Sequence, residues 1–538
     1  MALPSTNQAW PPAQLSRTLP QMGVWSAWFA GDSDMLAGVY GSANGSNQEF
    51  FASDHGGFKA TVGRAIQRWF WGERSPERRV KLHIPIAAEL CQASADLLFA
   101  DSITLKVHDK TTQDRLDVLC DDDLHTELAE SAELAAALGG VYVKIAWDTS
   151  VNPDAPFITH VDADQAIPEF AYGRLRAVTF WQVVARDGKR VYRHLERHET
   201  DANGVGIILH GLYEGEENKL GTPRPLTEQP ATAPLAELVD AFGSISSESE
   251  NLCVVYVPNQ TPNRTWRTDP NGRNLGRSDL DGIEPLMDAL DETYTSWQRD
   301  IRLGKSRIMI AKSLLENAGP GRGQTFNADQ EAYSSVNMLG GEQPKITDLI
   351  TEVQFKIRVE EHRATASDLV LNILRMAGYS AETFGLYEGG GTVQTATEVE
   401  AKQQRSLLTR DRKIRIWRPA IARIIEKLLA VDQAIFNTPV TVQAPEVLFP
   451  DGVQESQLSI AQTAQALRNA DAASDETLVG MVHPDWEDSQ VQIEVGKIVA
   501  QRKAAQPPAL PDPMFMHPGG PGGVDDGSSG AGDPTGNG

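Results

Sequence analysis

The sequence has few cysteines and lacks any long apolar run. No stretch of about 18 or more apolar residues is present, so we expect no transmembrane helix. The first 26 residues lack a basic segment followed by an apolar block, and we expect no secretory signal. The three cysteines, Cys91, Cys120 and Cys253, lie far apart without CxxC spacing. They predict small buried residues of a protein in a reducing cytosol rather than a disulfide framework or a zinc site.

Positive charge is also scarce. The 538 residues include 49 Lys and Arg against 73 Asp and Glu, a formal net charge of −24. Tight binding to a DNA backbone needs cations that displace counterions, so a sequence-specific DNA-binding module is disfavoured. An acidic wall past which DNA slides is compatible with this balance, and so is ordinary solubility charge. An apolar fraction of 41% is enough for sizeable cores, in two or three domains or one elongated subunit.

Motifs for nucleotide, metal or nucleophilic chemistry are weak or missing. Gly389-Gly390-Gly391-Thr392 could approach a phosphate, but GxxxxGK[ST] is absent and no clear strand precedes it. A loop between two helices is the favoured interpretation. His194 and His198 are four residues apart beside acids, but the flanking residues favour a strand, where the two side chains are too far apart for one ion. No GxSxG elbow is present.

One group of acidic residues is a candidate for the metal ligands of a metal-dependent nuclease. It comprises Asp148, Asp154, Asp162, Asp164 and Glu169. Two-metal chemistry uses such carboxylates. These lie among prolines, however, and no lysine-containing nuclease motif accompanies them. We therefore interpret them as turn residues and keep the nuclease only as an alternative.

Hydrophobic periodicity predicts an α+β fold with long helices and an antiparallel β meander. A helix is expected through Ile86, Leu90, Ala93 and Leu97, beginning near Pro85, and later helices over residues 124–138, 282–301, 351–376, 397–430, 455–470 and 487–503. Strands are expected at 141–147, 158–161, 177–184, 191–198, 207–213 and 308–311. Residues 214–230 and 379–394 are predicted loops, and the Pro- and Gly-rich residues 506–538 are predicted to be disordered.

The helix predicted from Thr397 is the most informative charged element. Thr397 and Glu400 have capping-box spacing, and Pro419 is expected to interrupt and kink the helix. The helix carries nine cations against four acids: Lys402, Arg405, Arg410, Arg412, Lys413, Arg415, Arg418, Arg423 and Lys427. Phosphate contact is one interpretation. A structural role, or salt bridges to a neighbouring subunit, is favoured over it.

Several phrases in this order resemble the portal proteins of siphophages, specifically those of actinobacterial phages. The resemblance covers roughly residues 20–505. It rests on the number and order of the similar segments rather than on a catalytic signature. Its main phrases are SADLLFAD (94–101), GGVYVKIAWD (139–148), DADQAIPEF (162–170), GRLRAVTFWQVV (173–184), YRHLERHE (192–199), VYVPNQTPNRTWR (255–267), GRSDLDGIEPLMDALDETYTSWQRDIRLGK (276–305), FKIRVEEHRATASDLVLNILRMAGYSAETFG (355–385) and TATEVEAKQQRSLLTRDRKIRIWRPAI (395–421).

The resemblance implies a portal fold with wing, stem, clip and crown regions that assembles as a dodecameric ring. Transferred to this chain, it gives a wing (1–280), a first stem helix with its approach (281–311), a clip (312–350) and a second stem helix (351–377). A tunnel loop (378–394), a long basic wing helix (395–436), a C-terminal wing or crown (437–505) and the disordered tail (506–538) follow.

The same resemblance implies a function without an enzymatic step or cofactor. The ring would sit at a capsid vertex of the virion and pass double-stranded DNA, without sequence specificity, during packaging and ejection. It would be made in the host cytoplasm and would contact the terminase large subunit, then a head–tail adaptor, and the major capsid or scaffolding protein. Another virion head protein, such as an adaptor, is the first alternative. The tunnel-loop residues are Tyr379, Glu382, Thr383, Glu388, Gly389, Gly390, Gly391, Thr392 and Gln394. Possible DNA or subunit contacts are Lys402, Arg405, Arg410, Arg412, Lys413, Arg415 and Arg418.

Overall fold

Helices and antiparallel strands are mixed throughout the computed structural model, as the sequence predicts. It describes residues 3–42, 81–120, 122–148, 151–303, 307–310, 316–317, 324–325, 350–353, 357–386, 396–450, 457–470, 472–483, 486 and 488–505. The predicted disordered tail (506–538) and the second half of the predicted tunnel loop (387–394) lie outside these residues. The chain divides into two units, Met1–Val453 and Gln454–Gly538.

Five helices lead into the first sheet. They are α1 (Leu19–Ala30), α2 (Ser33–Ser42), α3 (Ile86–Phe99), α4 (Lys110–Leu119) and α5 (Asp122–Leu138), within the described residues. Helix α3 begins directly after Pro85, which occupies its N-cap position, close to the start that the sequence predicts. Asp109 caps α4 by accepting a hydrogen bond from the Thr112 backbone N–H at 2.9 Å. After α5, Gly139 adopts a φ of +88°, which a glycine allows without a Cβ clash, and the chain turns directly into a strand.

The central sheet joins residues that are far apart in sequence. Strands β2 (Gly140–Ala146), β3 (Phe157–Asp162) and β10 (Val254–Pro258) pair antiparallel in the order β10-β2-β3. Val143 lies opposite Val255 on one side and His160 on the other. The β2 side chains alternate between two cores, because successive residues of a strand point to opposite faces: Tyr142 joins the core around Trp25 and Trp28, and Val141 and Val143 join the core around Trp417.

A larger sheet forms the predicted meander. Within the described residues, β4 (Ala166–Ala171), β5 (Arg174–Asp187), β6 (Arg190–Thr200), β7 (Val205–Glu216) and β8 (Lys219–Arg224) pair in sequence order, and β9 (Ser244–Glu250) also pairs with β7. The prediction of a loop over 214–230 is wrong, because β7 extends to Glu216 and β8 follows. Gly221 (φ +82°) allows this pairing: a Cβ there would meet the Glu214 carbonyl.

Three long helices follow. They are α6 (Glu284–Leu303), α7 (Val359–Ala377) and α8 (Ala396–Phe436). Residues 351–353, predicted as helix, instead belong to a strand, β14 (Ile350–Val353). Helix α8 begins before Thr397, and it continues through Pro419, so the predicted interruption there is wrong. None of the described helices is long and apolar enough to cross a membrane.

Short strand pairs accompany these helices. Strand β11 (Arg307–Ile310) pairs antiparallel with β14 (Ile350–Val353), and β12 (Glu316–Asn317) pairs with β13 (Gln324–Thr325). Ile310 lies opposite Ile350, so the two ends of the segment between them are brought together. Strand β1 (Thr104–Lys106) pairs with β15 (Glu446–Leu448), which ties the chain beyond α8 to the region after α3.

The second unit consists of helices in its described residues. They are α9 (Gln457–Asn469), α10 (Asp475–Val482) and α11 (Asp488–Ala505). Helix α10 is absent from the sequence prediction. Its N-cap, Ser474, accepts a hydrogen bond from the Thr477 N–H at 3.3 Å, and Arg502 of α11 binds Asp475 at 2.6 and 2.7 Å.

Candidate functional site

The inward face of α8 carries a buried lysine. The side chains of Lys413 and Asp279 are 2% and 0% exposed, and their Nζ and Oδ2 atoms are 2.6 Å apart. Lys413 also donates to the hydroxyl of Ser94 on α3. A buried charge is stable only when it is paired and hydrogen-bonded, and this lysine meets both conditions.

Asp279 is the centre of the surrounding network. Its Oδ2 atom also accepts a hydrogen bond from the Tyr379 hydroxyl at 2.7 Å, and its Oδ1 atom accepts from Asn259 and Gln260 at 2.8 and 2.6 Å. Burial, and then the negative charge of Asp279, raise the pKa of Tyr379 well above its usual value. The network therefore joins α3, the segment before α6, the second residue after α7, and α8.

The first residues of the predicted tunnel loop are fixed to α8. The Ser380 N–H donates to Ser406 Oγ at 2.8 Å, and the Thr383 and Ser406 hydroxyls are 2.7 Å apart. Thr409 donates to the Gly378 carbonyl at 2.7 Å. The turn between these contacts, Ala381–Phe384, is a 3-10 helix. Serine and threonine on α8 thus hold the start of the segment that links the two helices.

The structure places the predicted loop residues in different environments. Tyr379 is 2% exposed and points into the subunit, whereas Glu382 and Thr383 are partly exposed. The structure therefore corrects the assignment of Tyr379 as a channel-lining side chain. The remaining predicted residues lie outside the described part of the chain: Glu388, Gly389, Gly390, Gly391, Thr392 and Gln394.

The predicted cations of α8 divide between two faces. Arg410 is 8% exposed and donates to the carbonyls of Leu97 and Pro450, and Lys413 and Lys427 are buried as well. The prediction of external contacts is therefore wrong for Arg410 and Lys413, because their charges are used inside the subunit. The exposed cations are Arg405, Arg412, Arg415, Arg418 and Arg423. The side chain of Lys402 is not among those that the structure describes.

Periodicity separates these two groups. Ser406, Arg410, Lys413 and Trp417 recur at intervals of four, three and four residues and share the buried face. Arg405, Arg412 and Arg415 recur at seven and three residues on the exposed face. A count of charges does not distinguish the buried cations from the exposed ones. Their spacing relative to Trp417 does, because residues three or four positions apart share a helix face.

The predicted histidine pair lies on β6, as expected, and does not converge on one ion. His194 Nε2 lies 3.1 Å from His210 Nδ1 with the two rings stacked, and His198 Nε2 lies 2.7 Å from Glu196 Oε1. Lys144 reaches the same Glu196 at 2.7 Å. Burial lowers the pKa values of His194 and His198, and lowers that of His210 to about 4. This is a buried polar network that links two sheets.

The predicted nuclease carboxylates do not assemble a metal centre in the described part of the chain. Glu169 binds Arg197 at 2.7 Å, Asp162 ends β3, and burial raises the pKa of Asp164 to about 6. The described residues that could offer converging ligands are Glu127, Glu130 and His160, whose ligand atoms lie within 4.8 Å of one another. His160 Nδ1 is 2.6 Å from Glu127 Oε1, so an ion pair accounts for that contact without a metal.

Comparison with known families decides the assignment. The sequence model of the family described as "Phage portal protein, SPP1 Gp6-like" matches residues 60–508. The chain belongs to this family. It is a portal protein of a tailed phage. Portal proteins are structural rather than catalytic components, and the family places the chain in the virion.

Other comparisons add little to this assignment. No curated protein matches the chain. Among solved structures, the portal protein is similar to a chain of the "Neck of native GTA particle computed with C12 symmetry", with 12% identity, a TM-score of 0.36, and coverage of 77% of this chain and 90% of that chain. The assignment rests on the family match, and the actinobacteriophage subtype stays a prediction.

Proposed function

We propose that this portal protein forms a ring of twelve subunits at one capsid vertex, through which double-stranded DNA enters and leaves the head. The family match over residues 60–508 carries the proposal. The net charge of −24 supports it, because a mainly acidic wall repels phosphate and keeps a sliding duplex from being held. The protein is made in the host cytoplasm and then built into the head.

Electron microscopy of the purified full-length protein tests the ring. Class averages viewed down the symmetry axis are expected to contain about twelve subunits around an open channel. A monodisperse monomer or dimer at every salt concentration would contradict the proposal. Purified rings with another number of subunits would still support ring formation and would contradict only the number twelve for the isolated protein. Microscopy of intact particles would then give the number of subunits in the head.

The segment between α7 and α8 is proposed as the tunnel loop. Ser406 and Thr409 hold its first residues against α8, so Gly378 and Ser380 have defined positions. Gly385 follows the short 3-10 turn with a φ of +69°, where the chain leaves this attachment. Glu382, Thr383 and residues 388–394 are the ones we assign to the channel wall.

Residues 312–350 are proposed as the clip, which docks the terminase large subunit during packaging and the head–tail adaptor afterwards. The β11–β14 pair supports a projecting module, because it holds the two ends of this segment together. ATP hydrolysis would belong to the terminase, and this chain would need no cofactor. Replacing residues 316–346 by a short Gly-Ser linker should leave rings intact but abolish their binding to terminase; retained binding would contradict the clip assignment.

A further inference from the structure

The outer face of α8 presents a row of arginines. Arg405, Arg412 and Arg415 are exposed, and within the described residues they form no ion pair. Leu408, 50% exposed, lies between them on the same face. We call these four residues the arginine row. Arginine beside an exposed apolar side chain is typical of protein interfaces, where arginine is enriched.

A second surface has the opposite charge. Helices α3 and α5 pack against each other, and neither contains Lys or Arg. Together they carry seven acids: Glu89, Asp96, Asp122, Asp123, Glu127, Glu130 and Glu133. Asp123 and Glu130 are exposed and Glu133 is partly exposed. We call these three residues the acidic row.

In the described part of the chain, His160 is the cation that interacts with this surface, and it lies beside Glu127 and Glu130. Burial raises the pKa of Glu133, and the neighbouring carboxylates Asp96 and Glu130 raise it further. Glu127 has His160 as its partner, but no ion pair involves Asp123, Glu130 or Glu133 in the described part of the chain. A cationic partner would relieve this repulsion.

The two rows have the same spacing. Arg405, Arg412 and Arg415 are separated by seven and three residues, and so are Asp123, Glu130 and Glu133. Each row therefore spans about 15 Å along its helix. Three arginines can face three carboxylates when the helices lie side by side in the same direction.

We infer that the arginine row of one subunit docks on the acidic row of the neighbouring subunit. This inference rests on the proposed ring. A closed ring uses heterologous contacts, in which two different surfaces of one chain must be complementary, and these two rows meet that requirement. DNA is the weaker candidate for the arginine row, since a wall that grips phosphate would retard a sliding duplex.

Charge reversal in the full-length protein tests the pairing. Arg412→Glu and Glu130→Arg are each expected to raise the subunit concentration for half-assembly about tenfold or more, measured by mass photometry and sedimentation. The double variant has the charges exchanged at both positions and should return toward wild-type assembly. Arg176→Glu, an exposed arginine on β5, is the matched control and should assemble normally.

The outcomes distinguish failure of the proposed function from failure of this inference. If the wild type forms no ring, the proposed function and this inference both fail. If wild-type rings form and Arg412→Glu assembles normally, only the inference is overturned. Defective single variants without recovery in the double variant would mean that the rows have different partners, which also overturns it. Intact Arg412→Glu rings with weaker binding of duplex DNA, measured by fluorescence anisotropy, would assign the arginine row to DNA instead.

Discussion

Lys413 and Asp279 form an enclosed ion pair that ties the longest helix of the described chain to the segment entering α6. The 2.6 Å contact joins residues 134 positions apart, and the Asp279 carboxylate also holds Tyr379 at the start of the proposed tunnel loop. Any shift of α8 relative to α6 must therefore break this ion pair or move Lys413, Asp279 and Tyr379 together. The arrangement makes the network a rigid support rather than a DNA-contacting surface.

Removing the cation should destabilise the subunit strongly. Lys413→Met leaves a buried carboxylate without its counter-charge, which costs about 3–5 kcal/mol. Urea unfolding at fixed protein concentration measures the loss. Arg423→Met, on the exposed face of the same helix, is the control and should change stability by less than about 0.5 kcal/mol.

A double variant distinguishes this pairing from simple loss of packing. Asp279→Asn removes the charge that Lys413 balances, so Lys413→Met combined with Asp279→Asn should cost less than the sum of the two single changes. Additive losses would mean that the two side chains are not energetically coupled. A loss below about 1 kcal/mol for Lys413→Met would contradict burial of the charge.

The sequence predicts elements whose pattern is local. Ala- and Leu-rich α5 and the apolar run of β2 lie where expected, since a helical or strand period is visible within each segment. The resemblance to portal proteins also agrees with the family match. Ring, stem, clip and loop assignments depend on contacts between subunits or on residues outside the description, and they stay predictions.

The elements that were predicted wrongly depend on contacts between residues far apart in the sequence. Strand β14 depends on pairing with β11, which lies about forty residues away, and nothing in its own four residues predicts that partner. Strand β8 contains Gly221 and ends before Pro225, and such residues usually indicate a loop; in this protein the glycine fits close to the Glu214 carbonyl. The burial of Lys413 depends on Asp279, whose position no local pattern predicts.

The histidine network should make stability depend on pH. Burial lowers the pKa of His210 from its ordinary 6.5 to about 4, so the folded state binds fewer protons than the unfolded chain between these values. Stability from this group is complete above pH 6.5 and is lost as the pH falls toward 4, by about 3 kcal/mol. His194, His198, Lys144 and Glu196 face the same group.

His210→Asn isolates this contribution. Its free energy of unfolding should fall less steeply than that of the wild type between pH 7 and pH 5, measured by urea titration at each pH. Other groups titrate in both proteins, so the difference between the two slopes is the decisive quantity. Parallel slopes would show that His210 takes up its proton without cost.

The thiols should be unreactive in the folded protein. Burial raises the pKa of Cys120 to about 12 and also raises those of Cys91 and Cys253, and the thiolate is the reactive form. With a chromogenic disulfide reagent at pH 8, native protein should release almost no colour within minutes, and guanidinium-unfolded protein should release three equivalents. One rapid equivalent that Cys120→Ser removes would show that the reagent reaches this thiol at the end of α4 in the folded protein.

Deleting Glu388–Thr392 should separate assembly from DNA handling. The hydrogen bonds that join α7 to α8 involve Gly378, Ser380 and Thr383, which precede the deletion. Rings are therefore expected to form normally, while DNase-protected DNA per head falls because the proposed channel wall is shortened. Negative-stain images and quantification of packaged DNA measure the two effects. Replacing the same five residues by Gly and Ser keeps the loop length and is the matched control.

The comparison of these two variants identifies what the loop contributes. If the deletion impairs packaging but the Gly-Ser replacement does not, loop length matters and the identity of the side chains does not. If both impair it, the Glu388 or Thr392 side chain acts on the DNA or on a neighbouring loop. Loss of rings in the deletion variant would instead make this segment part of the subunit interface, and the channel wall would have to be sought elsewhere in the chain.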